Sequence, residues 1–175
     1  DRAGQAARFV STHLRDERGV LQHTWRRGEA SVDAFLADYA YLLHGLIALA
    51  RATDDPTWLR QASRLADQMI DRLAIPEGGF YSAVVADDLL VRNRPIHDAA
   101  VPAANGTAIL ALIDLGEALD EPRYLDIAER ALRAFAGPLS EGSGAYPTLA
   151  RAVLRWSLVS AAEQVDKEPP PHETP

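Results

Sequence analysis

The chain has 175 residues, 47% of them apolar, with 18 basic and 25 acidic side chains and a formal charge of −7. That length fits one domain with a sizeable core, and an acidic chain without a basic run excludes nucleic acid and anionic membrane as expected partners. The absence of cysteine excludes disulfides, thiolate metal sites and a cysteine nucleophile; it permits a reducing compartment, and a cytoplasmic location is expected.

Apolar spacing predicts a first helix over Ala3–Leu14, closed by Gly19, then a short extended piece Val20–Trp25 before the turn Arg26-Arg27-Gly28. The strongest helical pattern runs Val32–Ala52, with Phe35, Tyr39, Leu42, Leu46 and Leu49 on one stripe, widened by Leu36, Leu43, Ile47 and Ala50. Asp54-Asp55-Pro56 stops it and starts a helix over Thr57–Leu73. After Pro76-Glu77-Gly78-Gly79, the β-prone runs Phe80–Val85 and Leu89–Arg92 predict a hairpin. Helices follow over Ala103–Leu119 and from Pro122 through Ala136. Gly137-Pro138 is expected to break the second, Glu141–Ala145 to loop, and Pro147–Ala162 to form the last helix. The proline-rich tail, from about residue 163 and most clearly Lys167–Pro175, is expected to be disordered.

Two helix pairs share a pattern at an offset of 66 residues. Pro56, Trp58, Leu59 and Ala62 correspond to Pro122, Tyr124, Leu125 and Ala128; Leu46, Leu49 and Leu73 correspond to Leu112, Leu115 and Leu139. Helix pairs recurring at a fixed period imply a solenoid or a closed ring. The expected fold is therefore all-α: a partial α/α toroid of antiparallel helix hairpins over residues 1–162, with short β-hairpin connectors. The chain begins at Asp1 and its sole methionine is Met69, so it reads as processed or as a piece of something longer. An incomplete ring would leave apolar edges, for which self-association is one expected outcome.

In such a ring, chemistry gathers at the starts of the inner helices. Asp38, at the edge of the long apolar stripe, suits acid/base work; it equally suits an ordinary first-turn acid favoured by the helix dipole. The segment Arg92-Asn93-Arg94-Pro95-Ile96-His97-Asp98 offers two anion-binding arginines, a proton-transfer histidine and an acid. Asp98 could equally cap the next helix, and Asn105 could be a buried hydrogen-bond anchor. Trp25 and Tyr81, in connectors, are the better aromatic candidates for a sugar-stacking wall, whereas Trp58 and Tyr124 occupy matching repeat positions and read as packing. No histidine spacing suits a metal, no cofactor motif occurs, and neither metal nor cofactor is expected.

The stretches Leu21-Gln22-His23-Thr24-Trp25-Arg26-Arg27-Gly28, Phe35-Leu36-Ala37-Asp38-Tyr39-Ala40, Gly78-Gly79-Phe80-Tyr81 and Asp98-Ala99-Ala100-Val101-Pro102-Ala103-Ala104-Asn105 resemble the C-terminal helical region of the thioredoxin-domain-containing family related to spermatogenesis-associated protein 20. The resemblance covers Leu21 to Leu139. It implies a six-hairpin, glycosidase-like toroid similar in fold to N-acylglucosamine 2-epimerases, behind a thioredoxin-like domain that this chain lacks. It implies a carbohydrate- or small-molecule-binding site in which Asp38, Asp98 and His97 would be catalytic, while Trp25, Tyr39, Tyr81, Arg92, Arg94 and Asn105 would bind a sugar-like ligand. Where the family pattern has an acid, Gly, Ser and Gly, this sequence has Ala37, Ala99, Ala103 and Ala104. Those replacements remove a carboxylate, a hydroxyl and backbone freedom, so the alternative is a non-catalytic scaffold packed against a thioredoxin-like domain, the rest of the toroid, or another subunit.

Overall fold

The computed structural model describes residues 2–85 and 92–167. The chain is mainly helical: α1 (Arg2–His13), the strands β1 (Gln22–Arg26) and β2 (Glu29–Asp33), α2 (Leu36–Thr53), α3 (Pro56–Leu73), α4 (Ala104–Leu119), α5 (Pro122–Ala134), the short α6 (Ala136–Gly142), a 3-10 turn at Ser143–Ala145, and α7 (Pro147–Lys167). The all-α class stands.

The helices α2/α3 and α4/α5 are joined by two-residue links, Asp54-Asp55 and Asp120-Glu121. Links that short fold each pair back on itself. The period in the sequence is visible in the backbone: Asp54 and Asp120 are both left-handed, with φ of 54° and 52°, and Pro56 and Pro122 both open the following helix. Proline suits that position because its missing N–H had no helical partner.

The middle element is α4. Every residue from Ala104 to Gly116 is buried, because α2, α5 and α7 pack around it and α3 touches it. Small residues make the close approach possible: a Cβ on Gly106 would sit 3.0 Å from Leu149 N and Thr148 Cγ2 at the start of α7. By contrast α3 and α5 bury one face only: Trp58, Ala62, Leu65, Ala66, Met69 and Leu73 on the first, Tyr124, Leu125, Ala128, Ala131 and Leu132 on the second. A helix buried all round and flanked by one-sided helices describes layered packing of helix hairpins.

Several expected boundaries are corrected. Val32 belongs to β2, with φ of 66° and 54% exposure, so α2 begins at Leu36 and not at Val32. The cause is a two-residue hairpin turn, Arg27 (φ 54°) and Gly28 (φ 88°), that pairs Arg26 with Glu29 and Trp25 with Ala30. Both central residues have positive φ, as the tight turn matching strand twist requires. Phe35 consequently precedes α2 and is partly exposed, outside the buried stripe of Leu36, Tyr39, Ala40, Leu43, Leu46 and Ile47. Phe80–Val85 forms no strand; Phe80 makes one isolated bridge to Ala74, and Ser82 N–H donates to Asn93 C=O at 2.9 Å. The expected partner run Leu89–Arg92 lies outside the described residues except for Arg92. α5 stops at Ala134, and Gly137-Pro138 falls inside α6, whose first turn tolerates a proline. Glu141 and Gly142 end α6 and are not loop. The last helix runs five residues past Ala162, to Lys167; the rest of the expected tail lies outside the described residues.

Candidate functional site

The starts of α2, α4 and α7 meet at one end of the molecule, joined by hydrogen bonds through the connector residues. Leu36 N–H, in the first turn of α2, donates to Ser82 C=O at 2.9 Å. Two residues earlier, Phe80 is held by Asn105 in the first turn of α4: Phe80 N–H donates to Asn105 Oδ1 at 2.8 Å, and Asn105 Nδ2 donates to Phe80 C=O at 3.0 Å and to Pro95 C=O at 3.1 Å. The amide pairs with a backbone edge as a neighbouring strand would. Asn105 is the buried anchor that its sequence context allowed.

Asp98 ties α4 to α7. Its Oδ1 accepts from Ala103 N–H at 2.8 Å, just before α4, and from the Thr148 hydroxyl; its Oδ2 accepts from Thr148 N–H at 3.0 Å in the first turn of α7. Partial burial opposes ionisation of this carboxyl, but the bonds from Thr148 side chain, Thr148 N–H and Ala103 N–H outweigh it and hold the group below the ordinary carboxylate range. Tyr41, from α2, donates its hydroxyl to Pro102 C=O at 2.6 Å beside this junction; burial and then the Asp98 charge push its phenol up.

Asp38 performs the equivalent task at α2. One carboxylate oxygen, Oδ2, accepts from Phe35 N–H at 2.8 Å and lies 2.8 Å from His23 Nδ1. This is the acidic half of a capping box, since Phe35 has no polar side chain to return the bond. The His23 ring stands edge-on to Phe35 with centroids 4.9 Å apart, so β1 is pinned to the start of α2.

The remaining candidates also have partners. Arg92 lies over the Tyr81 ring, 3.7 Å from its centroid, and donates to Ala83 C=O at 3.1 Å. Arg94 donates to Gly78 C=O at 2.8 Å and lies over Phe135. His97 is exposed, 3.2 Å from the Tyr146 hydroxyl. Trp25 packs edge-on against Phe9 and His13 of α1. Tyr39 is fully buried in α2. Its hydroxyl has no partner among the described residues, and burial raises its pKa. Tyr81, Arg92, Arg94 and Asp98 of the connectors and Asn105 of α4 therefore gather around the α4 start, Asp38 borders them at α2, and Trp25 and Tyr39 make their contacts elsewhere. No group of three potential metal ligands occurs among the described residues.

Thr148 was not foreseen. It stands fifty positions from Asp98, and no local pattern marks it; a Pro-Thr helix start is its one sequence signal. The ion cluster of Asp114 with Arg51 and Arg155, at 3.1 and 3.0 Å, was also missed because it spans three helices.

No protein-family profile matches the chain. The chain is similar to mouse spermatogenesis-associated protein 20, with 28% identity over 163 residues, 86% of this chain and 21% of that protein. The human protein of the same name is equally similar, at 28% over 163 residues. An uncharacterized Caenorhabditis elegans protein is 27% identical over 168 residues, 91% of this chain and 23% of that protein. The chain thus spans about a fifth of the length of the curated relatives it matches. Among the described residues no helix is long and apolar enough to cross a membrane.

Proposed function

We propose that the chain is a helical scaffold module of a spermatogenesis-associated protein 20-related protein, an arc of an α/α toroid whose polar connectors hold helix starts together and do not process a substrate. One observation carries this reading. The carboxylates best suited to acid/base chemistry are used on protein donors, Asp98 by three and Asp38 by a backbone N–H and His23. Bonds of this kind fix each carboxylate at a helix start, which is the task a scaffold requires of it. The scaffold's partners are the remainder of a longer chain and its thioredoxin-like domain, in the cytoplasm. The outward residues Leu154 and Leu158 of α7, 67% and 68% exposed, suit such a contact.

The second reading is a carbohydrate-binding, epimerase- or glycosidase-like site. It is favoured by the gathering of Asp38, Asp98, His97, Arg92 and Arg94 near the joined helix starts. Isothermal titration of the chain with neutral monosaccharides and disaccharides separates the two. The scaffold reading expects no heat of binding, in the parent chain or in Asp38→Ala. Saturable binding that Asp38→Ala abolishes would establish the second reading and overturn the first.

A further inference from the structure

A cleft of about 540 Å³ lies between α1 and α3, on a different flank from the joined helix starts. Its walls are two facing polar stripes. Arg8, Ser11 and Arg15 recur at i, i+3 and i+7 along and just past α1, and Gln61, Arg64 and Gln68 do the same on α3. Arg18 completes the lining with a fourth guanidinium. In a chain of charge −7, four arginines around one cleft are a local reversal of sign.

Two neighbouring carboxylates are already engaged. Asp16 is taken by Arg18, 3.0 Å away, and by the N–H groups of Arg18 and Val20. Asp55 lies close enough to feel Arg8, but it caps α3 by accepting from Thr57 N–H at 2.9 Å. Arg15 is half-buried and donates only to uncharged oxygens: Gly19 C=O at 3.1 Å, Gln68 Oε1 at 3.0 Å and Ser11 C=O at 3.4 Å. Burial without an acid lowers its pKa. Arg8 touches the Trp58 face and Arg64 has no ion pair among the described residues. The bond to Ser11 C=O explains Arg15 as a C-terminal cap of α1, but it explains neither Arg8 nor Arg64. Two polar atoms in the same walls, Ser11 Oγ and Gln61 Oε1, are buried with no hydrogen-bond partner. Clustered like charge raises the free energy of the empty cleft, and an oxyanion relieves it; the idle Ser11 hydroxyl can donate to the same ligand, whereas the Gln61 oxygen, an acceptor, calls for a ligand donor such as a hydroxyl.

We infer that the α1–α3 cleft binds a phosphorylated small molecule, its phosphate held by Arg8, Arg15 and Arg64 and by the Ser11 hydroxyl. The volume suits a ligand of sugar-phosphate size. The Gln61 amide is placed to bond the uncharged part. Planar guanidinium forks match phosphate oxygens in geometry and charge. The inference goes beyond the scaffold reading and does not rest on it.

Thermal denaturation and calorimetry of the full 175-residue chain test it, with inorganic phosphate, glucose phosphate and glucose as probes. The expected result is a saturable rise in Tm with both phosphates and none with glucose. Tighter binding of glucose phosphate than of inorganic phosphate assigns the cleft to a phosphorylated metabolite, and equal binding assigns it to free phosphate. Arg8→Gln/Arg64→Gln, whose side chains are exposed, should keep the parent Tm without ligand and lose about tenfold or more in affinity, the factor that one charge-assisted hydrogen bond carries. Arg130→Gln, outside the cleft, should bind like the parent. No saturable shift with either phosphate, or an unchanged affinity in the double variant, overturns the inference and leaves the scaffold reading standing.

Discussion

Asn105 is 0% exposed and uses both ends of its amide, accepting from Phe80 N–H and donating to Phe80 C=O and Pro95 C=O. Truncating it would strand one buried donor and one acceptor, both of Phe80, while Pro95 C=O would keep its bond from Asn105 N–H at 3.4 Å. Unmade buried bonds cost on the order of 1–3 kcal/mol each, partly recovered by local relaxation. Asn105→Ala should therefore destabilise the fold by about 3 kcal/mol in urea unfolding, whereas replacing the neighbouring exposed Asn93 by Ala should change it by less than about 0.5 kcal/mol. Equal effects would show that the amide is not the anchor. The sequence could name Asn105 as an anchor because a polar side chain in an otherwise apolar helix start demands partners. It could not name Phe80 and Pro95 as those partners, since they are fixed only when the connector folds back onto α4.

Among the elements, α3 and α5 start alike and are capped differently. Asp55 accepts from Thr57 N–H at 2.9 Å, but Glu121, at the matching position before α5, makes no cap and sits 3.8 Å from Arg123. The extra methylene carries the glutamate oxygens past the first-turn N–H groups. Glu121→Asp should supply the missing cap and stabilise the chain by about 0.5–1 kcal/mol, read as a rise in Tm. No rise, with α5 helicity unchanged, would mean that the loss of the Arg123 contact offsets the cap. The repeat that suggested this comparison was legible because Pro56 and Pro122, Trp58 and Tyr124, and Ala62 and Ala128 keep both register and burial. It fades at Leu73 and Leu139: the first closes α3, the second lies in α6, because α5 ends earlier. The α2 start was misjudged for a related reason. Val32 and Phe35 continue an apolar period in sequence, but the positive φ of Arg27 and Gly28 folds residues up to Asp33 into a ribbon first. Backbone geometry at a turn overrides an apolar period that merely happens to extend through it.

Across the whole molecule, Asp98 is the junction at which the α4 and α7 starts are bound into one unit, and its ionisation couples that junction to pH. Its candidacy as a site residue was legible from the Arg92–Asp98 segment; its use as a latch was not, because Thr148 arrives through tertiary packing alone. The carboxyl titrates below its ordinary value in the folded chain, since the bonds from Thr148 and Ala103 outweigh the opposing burial. A depressed folded pKa means that the stabilisation is complete above the unfolded value, about pH 3.9 for aspartate. It is lost as the pH falls through the folded value, where protonation removes the charge that three donors satisfy. Asp16 and Asp55 are shifted the same way, Asp16 chiefly by the Val20 N–H and Asp55 by the Thr57 N–H, so acid weakens the parent chain at several points. Comparison with Asp98→Asn isolates the junction, because Asp16 and Asp55 are common to both proteins and cancel in the difference. At neutral pH the variant should be less stable, having lost the charge and one acceptor oxygen. On acidification the two unfolding free energies should converge, with the gap closing below about pH 4. Denaturant unfolding at a series of pH values reads the gap directly. A gap that stays constant into acid would show that Asp98 holds the two helices by shape and neutral hydrogen bonds and that its charge contributes nothing to the junction.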